Sequence, residues 1–472
     1  MDKVLGKVFY ANQIVIVGFG SIGQALLPFL FKHLDIKPSQ IVIFSKAQDG
    51  KQLAQEHGIE FNCIAITREN MKSILGPRLN SGDFLLNMSY GVSSLELIQF
   101  SQKQQALYLD LATEPWEDLY EDPKLPASKR TNYVLRESVL PLKGLKTKTA
   151  VVTHGANPGL VSHFVKQALL NIAEDNDLSI EKPRTPIEWA QLAQSLGIKA
   201  IHVAERDTQI SSLSQKPHEF INTWSGVAFI EELQQPAELG FGTHEKHWPD
   251  GFHHELGTQA TIYLNSCGAN VKVRSWSPSF GAFHGYLVTH AESISLTDYL
   301  TIKDGNQVIY RPTVHYAYLP CPAARLSVEE LVGAEHRLPT THKLLMDEIE
   351  DGFDELGVLL MGNQKGAYWY GSKLWIHEAR ELISGNNATT VQVAAGAISG
   401  MLWAIENQDK GLVEPDDLDF EYIMNIAKPY LGEVKGYYTD WTPLQNRNVL
   451  YHEKLDWDDP WQFLNIKVSQ DG

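Results

Sequence analysis

Three glycines near the start of the chain have the spacing of a diphosphate-binding turn. Gly18, Gly20 and Gly23 form a G-x-G-x-x-G motif that follows an apolar run and leads into an amphipathic helical pattern. The first glycine allows a tight turn, the second lets the backbone approach a pyrophosphate, and the third permits close packing of helix on strand. The diphosphate would lie on N–H groups at the positive end of the helix, near Ser21 and Ile22. We therefore predict a dinucleotide site here.

The choice between NAD and NADP stays open from this segment. An NAD-preferring unit usually places an acid at the end of its second strand to bind the ribose hydroxyls. Here the run 41–44 is followed by Ser45 and Lys46, and the nearest acid is Asp49. Serine and lysine at this point could bind a ribose or accommodate a 2'-phosphate.

A second group of residues could bind an amine and assist its oxidation by the cofactor. The later chain contains acids, a histidine and a tryptophan in distinctive contexts: Glu205, Trp224, Glu232, His290 and Asp354. Hydride loss from a carbon next to nitrogen requires a base that deprotonates that nitrogen, while carboxylates can hold a distal ammonium group. An indole face adds roughly 0.5–2 kcal/mol of cation–π attraction. Sequence spacing alone does not place these side chains together.

Each of these residues also has a purely structural interpretation. Glu205, followed by Arg206 and Asp207, is typical of an ion-paired surface stretch, and Trp224 could be a core aromatic residue. The remaining positions fit an exposed loop at Glu232, a buried hydrogen-bonded histidine at His290 and a helix or turn cap at Asp354.

A histidine-rich segment at residues 242–255 suggests a metal centre, but its spacing does not support one. Its histidines match neither H-E-x-x-H nor a zinc finger, and no cysteine pair accompanies them. We predict no metal site. The sequence also contains no G-x-S-x-G elbow and no P-loop, so acyl and phosphoryl transfer lack their usual motifs. The histidines are His244, His247, His253 and His254.

Composition favours a cytoplasmic, globular protein of two or three domains. The 472 residues are 43% hydrophobic and carry a net charge of −17, which argues against a nucleic-acid partner and suits either a cationic ligand or simple solubility. We expect no membrane partner, because no apolar run approaches the roughly 18–20 residues of a membrane helix. Cys63, Cys267 and Cys321 are scattered and odd in number, so we expect reduced thiols.

The elements that must position the glycine turn alternate between strands and helices. Strand-like runs recur at 83–88, 106–111 and 150–154, with a helical pattern at 93–105. This alternation predicts an α/β fold with an N-terminal Rossmann-type, doubly wound parallel sheet. Ligands of such sheets lie beyond the carboxyl ends of the strands. The loop residues expected to contact the cofactor are Asn87, Ser89, Tyr90, Ala156, Asn157 and Pro158.

The remaining chain predicts a second, α+β catalytic domain with a mixed or antiparallel sheet. Strand-like runs occur at 221–224, 261–264, 271–276 and 285–290, and a small apolar helical pattern begins at Asn387. We predict a Rossmann domain at 1–154, a catalytic and dimerisation domain at 155–385, and a C-terminal helical segment at 386–472 that packs back on the first.

Several motifs, from T-E-P-W at Thr113 and G-A-N-P-G at Gly155 to D-E-L-G-V-L-L at Asp354, together resemble the bacterial homospermidine synthases. The similarity runs almost end to end, from the glycine turn to the D-P-W-Q-F segment at Asp459. More distantly, the chain resembles the saccharopine dehydrogenase-like group. The motifs are T-E-P-W at Thr113, G-A-N-P-G at Gly155, A-E-R-D-T-Q at Ala204, N-T-W-S at Asn222, Q-P-A-E-L-G at Gln235 and D-E-L-G-V-L-L at Asp354.

The resemblance implies a redox-neutral transfer on putrescine with bound NAD, in a homodimer. Putrescine is oxidised to an imine, a second putrescine displaces ammonia, and the stored hydride reduces the new Schiff base to homospermidine. Spermidine can also act as donor, releasing 1,3-diaminopropane. By the same resemblance Trp224 contacts the cationic intermediate and Asn157 lies between nicotinamide and substrate. The channel and pocket would be lined by Glu205, Glu232, Asp354, Glu114 and His290.

Two departures from the family pattern and two alternative functions accompany this interpretation. Ser45 replaces the expected acid, and Tyr90-Gly91 stands where a threonine- or aspartate-containing loop is expected. A carboxynorspermidine- or saccharopine-type dehydrogenase would need a basic clamp for its substrate carboxylate, for which Arg206 and Arg274 are the candidates. A non-catalytic NAD-binding sensor would bind the nucleotide without diamine chemistry.

Overall fold

The computed structural model describes residues 6–117, 124–255, 260–450 and 452–469. Its helices are α1 Ser21–His33, α2 Lys51–Glu56, α3 Met71–Leu75, α4 Ser94–Lys103, α5 Asn132–Val139, α6 Leu160–Asp175, α7 Pro186–Ser195, α8 Gly226–Gln234, α9 Ala291–Tyr299, α10 Pro322–Gly333, α11 Ile376–Leu382, α12 Ala388–Glu406, α13 Phe420–Ala427 and α14 Phe463–Ile466.

The strands lie between and beyond these helices. They are β1 Val8–Phe9, β2 Ile14–Val17, β3 Leu34–Asp35, β4 Ile41–Phe44, β5 Glu60–Asn62, β6 Phe84–Asn87, β7 Leu107–Asp110, β8 Ala150–Val151, β9 Ala200–Asp207, β10 Ile210–Ser211, β11 Glu219–Asn222, β12 Pro236–Gly240, β13 Phe252–His254, β14 Thr261–Cys267, β15 Lys272–Ser277, β16 Gly281–Tyr286, β17 Ile302–Asp304, β18 Gln307–Tyr310, β19 Thr313–Leu319, β20 Thr341–Leu344, β21 Ile349–Asp351, β22 Phe353–Asn363, β23 Gly366–Trp375, β24 Leu412–Val413 and β25 Glu433–Thr439.

A parallel sheet forms the centre of one compact unit. Its strand order is β5-β4-β2-β6-β7-β8-β24, and the paired strands are parallel throughout. The chain leaves β2 toward β4 on one side and returns to β6 on the other, which is the doubly wound order. Strands β2, β4, β6 and β7 are buried along their whole length, as expected of a sheet covered on both faces. The predicted Rossmann-type sheet is confirmed.

Contacts divide the chain into two units that interleave along the sequence. The first comprises Met1–Leu125, Leu135–Leu160 and Glu378–Leu431; the second comprises Pro126–Val134, Val161–His377 and Gly432–Gly472. Helix α12 packs on α1 and β7, and β24 pairs with β8 in the first unit. Strand β25 instead pairs with β23 in the second unit, so segment 386–472 is shared between units rather than helical throughout. The functional division into domains stays a prediction.

A mixed sheet forms the second unit. Its main path is β13-β14-β12-β19-β9-β22-β23-β25, with β9 and β19 parallel and the other pairs antiparallel. The predicted second α+β domain with a mixed or antiparallel sheet is therefore confirmed.

Two strand predictions were wrong in detail. The run at 221–224 lies outside the main sheet, because β11 pairs in parallel with β20 and ends at Asn222. The run at 285–290 contributes only the end of β16, which stops at Tyr286. The long hairpin of β22 and β23 was missed, because its glycines and polar residues interrupt the apolar run that marks a strand buried on both faces.

One described helix, α12, is long and apolar enough to span a membrane. However, 94% of its apolar window is buried inside the protein, with Asn387 capping its N-terminus through the Thr390 amide. This burial is the property of a core helix.

Candidate functional site

The glycine turn has the geometry of a pyrophosphate-binding loop. Gly18 has a φ of +84°, and a Cβ there would lie 2.6 Å from the carbonyl oxygen of Met88. Gly20 is exposed, and a Cβ at this position would meet no atom within 4 Å. Helix α1 begins at the next residue and has no acidic side chain in its first turn. Open space in front of helical N–H groups is what a diphosphate requires.

The predicted loop residues after β6 bind one another beneath the turn. The Ser89 hydroxyl donates to Asn87 Oδ1 at 2.6 Å, and Asn87 Nδ2 donates to the Tyr108 hydroxyl at 3.3 Å. Tyr108 in turn donates to Asp110 Oδ2 at 2.8 Å. Burial raises the pKa of Asp110 to about 6. Asn87 and Ser89 therefore shape this loop, and the neighbouring Tyr90 is half-buried.

The loop after β8 is closed by its own backbone. The Gly155 amide donates to the Pro158 carbonyl at 2.8 Å, and Asn157 and Pro158 are joined by a cis peptide bond. Ala156 and Pro158 are buried, whereas Asn157 is half-buried. Glu114 lies on the preceding loop of the same unit, where its carboxylate accepts from the Gly91 amide at 3.5 Å.

The segment after β4 begins with Ser45 and Lys46 rather than with an acid. Ser45 is buried and donates its amide hydrogen to the Asn62 carbonyl at 3.1 Å. Lys46 is exposed and forms an ion pair with Glu117 at 3.2 Å. Screening by solvent makes such a surface pair weak, so Lys46 can be redirected toward a ligand.

The second unit gathers buried carboxylates on one face of its sheet. Glu205 and Asp207 are two residues apart on β9 and so share a face. Asp354 on β22 is the direct partner of Asp207 across the antiparallel pair. All three are buried, with exposed fractions of 3%, 3% and 0%. The interpretation of Glu205 as a surface residue and of Asp354 as a cap is therefore wrong.

Tyrosines of β19 contact these acids. The Tyr316 hydroxyl donates to Glu205 Oε2 at 2.5 Å, and the rings of Tyr316 and Tyr318 stack at 5.3 Å. Burial, together with the charges of Glu205, Asp207 and Asp354, raises the pKa of Tyr318 well above its usual value, which keeps this phenol neutral.

Trp224 joins the same cluster from the turn between β11 and α8. Its indole N–H donates to the Tyr318 hydroxyl at 3.4 Å, and its ring lies 5.7 Å from that of Phe229. The turn is fixed because Ser225 caps α8 by accepting from the Ala228 amide. Trp224 is only half-buried, so part of its surface stays accessible.

His290 is held between two further carboxylates. Its Nδ1 lies 3.0 Å from both carboxylate oxygens of Glu292, and its Nε2 lies 3.6 Å from Glu232 Oε1. Burial alone lowers the pKa of His290, but the two carboxylates outweigh it and hold the pKa well above its usual value. Burial raises the pKa of Glu232, and His290 opposes that rise. The two carboxylates therefore favour the imidazolium form of His290.

The structure brings five of the seven predicted catalytic residues into one unit. Glu205, Trp224 and Asp354 surround Tyr318, and the His290 ring lies 4.6 Å from that of Tyr316, which bonds Glu205. Glu114 and Asn157 belong to the other unit. Sequence reasoning missed four members of the cluster: Asp207, Tyr316, Tyr318 and Glu292. The signals that could have found them are the strand-like alternation in E-R-D and Y-A-Y and the two-residue spacing in H-A-E.

The histidine-rich segment serves a structural purpose. His247 Nε2 contacts Asp456 Oδ2 at 3.0 Å, and His244 Nε2 contacts the Trp461 carbonyl at 3.1 Å, so this segment fastens the C-terminal residues of the chain. His253 binds Asn265 at 2.7 Å on β14. Across the described ranges, no group of three or more His, Cys, Asp or Glu side chains could hold a metal ion.

Comparisons with known proteins agree with this geometry. Residues 14–153 match the saccharopine dehydrogenase NADP binding domain, and residues 155–440 match the saccharopine dehydrogenase C-terminal domain. The chain is 48% identical to a homospermidine synthase of Blastochloris viridis over 97% of both chains. It is 46% identical to one of Mesorhizobium japonicum over 98% of both.

A solved structure extends the agreement to the whole fold. The crystal structure of the homospermidine synthase from Legionella pneumophila in complex with NAD is 54% identical, with a TM-score of 0.93, and the match covers 98% of this chain and 99% of that one. This match spans nearly the full length of both proteins. The chain therefore belongs to the homospermidine synthase family.

Proposed function

We propose that this chain catalyses the NAD-dependent, redox-neutral transfer of an aminobutyl group from putrescine to putrescine, giving homospermidine and ammonia. The observation that carries the proposal is the cluster of buried Glu205 and Asp354 beside a half-exposed Trp224. Carboxylates and an indole face are the groups that bind a desolvated alkylammonium ion. Spermidine is the alternative donor and would release 1,3-diaminopropane.

The side chains divide the work between binding and proton transfer. Glu205 and Asp354 hold the ammonium group that does not react, and Trp224 stabilises the positive charge of the iminium intermediate. Glu232, whose pKa is raised by burial, accepts a proton from the reacting nitrogen. His290 stays protonated and partly neutralises Glu232 and Glu292, so it is not the base.

The glycine turn would hold the cofactor through its backbone. Gly20 leaves room for the pyrophosphate, Gly18 and Gly23 set the turn, and α1 directs N–H groups at it. When bound, NAD supplies the acceptor and later the donor of one hydride. We propose NAD rather than NADP because the related structure from Legionella pneumophila was solved with NAD.

The geometry disfavours a dehydrogenase that acts on an amino acid derivative. Arg206 alternates with Glu205 on β9, so it points to the opposite face, where it lies 3.9 Å from the Phe280 ring. Arg274 is engaged with the Lys467 carbonyl at 2.7 Å. Arg206 therefore points away from the acidic cluster, and Arg274 already binds a backbone carbonyl.

Product analysis tests the proposal directly. Purified protein incubated with putrescine and NAD should form homospermidine and ammonia, detected by mass spectrometry, without net NADH. Accumulation of NADH would favour a dehydrogenase, and NAD binding without any product would favour a sensor.

We also propose that the protein is a cytoplasmic homodimer. The described cysteines are free thiols, which suits a reducing compartment. Light scattering coupled to size-exclusion chromatography should give twice the chain mass of 53.0 kDa. A mass of one chain at micromolar concentration would contradict the dimer.

A further inference from the structure

Asp207 has no assigned role, yet it lies within the acidic cluster. It shares the face of β9 with Glu205 and is the cross-strand partner of Asp354. Its Oδ2 accepts a hydrogen bond of 2.7 Å from the hydroxyl of Thr223, the residue that precedes Trp224. Asp207 therefore connects the acids to the turn that presents the indole.

The contacts of Asp207 explain its position but not its charge. Its Oδ1 accepts from the backbone amide of Gln209 at 2.9 Å and from the Gln209 side chain at 3.0 Å. An asparagine could accept from the same donors through one oxygen. Burying a carboxylate beside Asp354 and Glu205 costs free energy, because desolvation and like charges both disfavour ionisation. Burial raises the pKa of Asp207 to about 6, above its ordinary value.

We propose that Asp207 is a positioning residue for the cationic substrate, which holds Trp224 in place through Thr223 and adds its negative charge to that of Asp354. The inference rests on the proposed function, because it assumes an alkylammonium ligand. A bound cation relieves the repulsion between the carboxylates, so the cost of burying them is recovered only when the substrate is present.

Two substitutions separate the charge from the hydrogen bond. Asp207→Asn removes the charge, keeps an acceptor oxygen for Gln209 and can donate its amide N–H to the Thr223 hydroxyl. Thr223→Val removes that hydrogen bond and keeps the side-chain shape. We expect Asp207→Asn to raise KM for putrescine by about tenfold, since it weakens a charge-assisted interaction. We expect Thr223→Val to lower kcat/KM by about tenfold, and Thr223→Ser to restore it, because serine retains the hydroxyl.

The pH profile gives a readout that a merely structural role would not move. Removing one negative charge makes the remaining carboxylates easier to ionise, so the acidic limb of kcat/KM should shift to lower pH in Asp207→Asn. The titratable groups that face Asp207 are Asp354 on β22, Tyr318 on β19, Cys321 at the start of α10 and Glu205 on its own strand.

The matched control is Asp459→Asn, which alters another buried aspartate of the second unit, hydrogen-bonded to Lys199 and Gln462. It should change thermal stability without shifting the acidic limb. An Asp207→Asn variant with the KM and pH profile of the unmodified protein would overturn the inference. If that variant does not fold, equal activity of Thr223→Val and Thr223→Ser would overturn it. Failure of the unmodified protein to form homospermidine would instead refute the proposed function.

Discussion

At the scale of single residues, the central observation is a buried histidine held between two carboxylates. His290 is 7% exposed, and its two ring nitrogens face Glu292 and Glu232. A neutral imidazole would be the usual choice for a general base near neutral pH. Here the carboxylates favour the charged form, which leaves the base role to a carboxylate and gives the ring a structural and electrostatic role.

The protonation of His290 can be measured through stability. Since its folded pKa lies well above the ordinary value of 6.5, its contribution is complete below about pH 6.5 and is lost as pH rises through the folded pKa. Within that window the free energy of unfolding should fall by about 1.4 kcal/mol per pH unit from this one proton. His290→Gln should remove that slope, and His254→Gln, on the exposed β13, should retain it. Urea denaturation between pH 6 and 9 provides the measurement; identical slopes in all three proteins would contradict a protonated His290.

Substitutions of Trp224 distinguish a cation–π role from packing. Trp224→Phe keeps an aromatic face, whereas Trp224→Leu keeps only apolar volume. Because the cation–π contribution is roughly 0.5–2 kcal/mol, the leucine variant should lose about 2- to 30-fold more kcat/KM for putrescine than the phenylalanine variant. Trp248→Leu, which alters a tryptophan exposed at 51%, is the control. Equal losses in both Trp224 variants would show that the indole only packs.

Sequence motifs predicted part of this cluster and missed part of it. Glu205, Trp224 and Asp354 were found because they stand in motifs shared with a family. Asp207 was missed although it stands in the same motif as Glu205, and Glu292 was missed two residues after His290. A carboxylate at that spacing is informative only once the strand or helix that carries it is known. The burial of Glu205 was also misjudged. A charged neighbour such as Arg206 suggests a surface position, but on a strand the two side chains point to opposite faces of the sheet, so one of them can be buried.

At the scale of elements, apolar runs predicted the parallel sheet well and the mixed sheet poorly. Strands β6 and β7 coincide with predicted runs because the covered faces of a parallel sheet require continuous apolar residues. The hairpin of β22 and β23 is equally buried, but its glycines and polar residues hide it. A Cβ at Gly357 would lie 2.3 Å from Trp369, and a Cβ at Gly371 would lie 2.3 Å from the backbone of the facing strand, so only glycine fits at these two positions.

The glycine turn makes a prediction that separates binding from folding. Gly20→Ala should leave the unfolding temperature without NAD unchanged, since no atom lies within 4 Å of a Cβ there, but it should weaken NAD binding by occupying the space of the pyrophosphate. Gly76→Ala is the control for a glycine in similarly open space. Calorimetric titration with NAD measures the effect. Unchanged affinity in Gly20→Ala would place the pyrophosphate elsewhere.

At the scale of the whole molecule, the chain passes repeatedly from one unit to the other. The boundaries fall after Leu125, Val134, Leu160, His377 and Leu431. The sequence patterns predicted that the segment from residue 386 returns to the first domain, but they did not predict that β24 pairs with β8 while the later strand β25 pairs with β23. A linear division at 154 and 385 was the natural prediction, and only long-range packing shows which segments belong together.

Fragments test the interleaving. A protein ending at Leu160 contains the glycine turn but lacks Glu378–Leu431, so it should expose the surfaces of α1 and β7 that α12 covers. We expect it to aggregate or to show no cooperative thermal transition, because burial of apolar surface is the main favourable term in folding. Joining Glu378–Leu431 to it through a flexible linker should restore a cooperative thermal transition, and the midpoint temperature of that transition should rise when NAD is added. A stable fragment without the added segment would contradict this expectation.

The position of α12 also governs the order of events during synthesis. Ribosomes release the chain from its N-terminus, so the glycine turn emerges several hundred residues before the helix that packs beside it. The first unit therefore cannot complete its packing, and part of its apolar surface stays exposed, until translation has passed Leu431. Chaperone occupancy on stalled nascent chains should accordingly persist beyond the first 160 residues and decline only when the last segment of that half has been made.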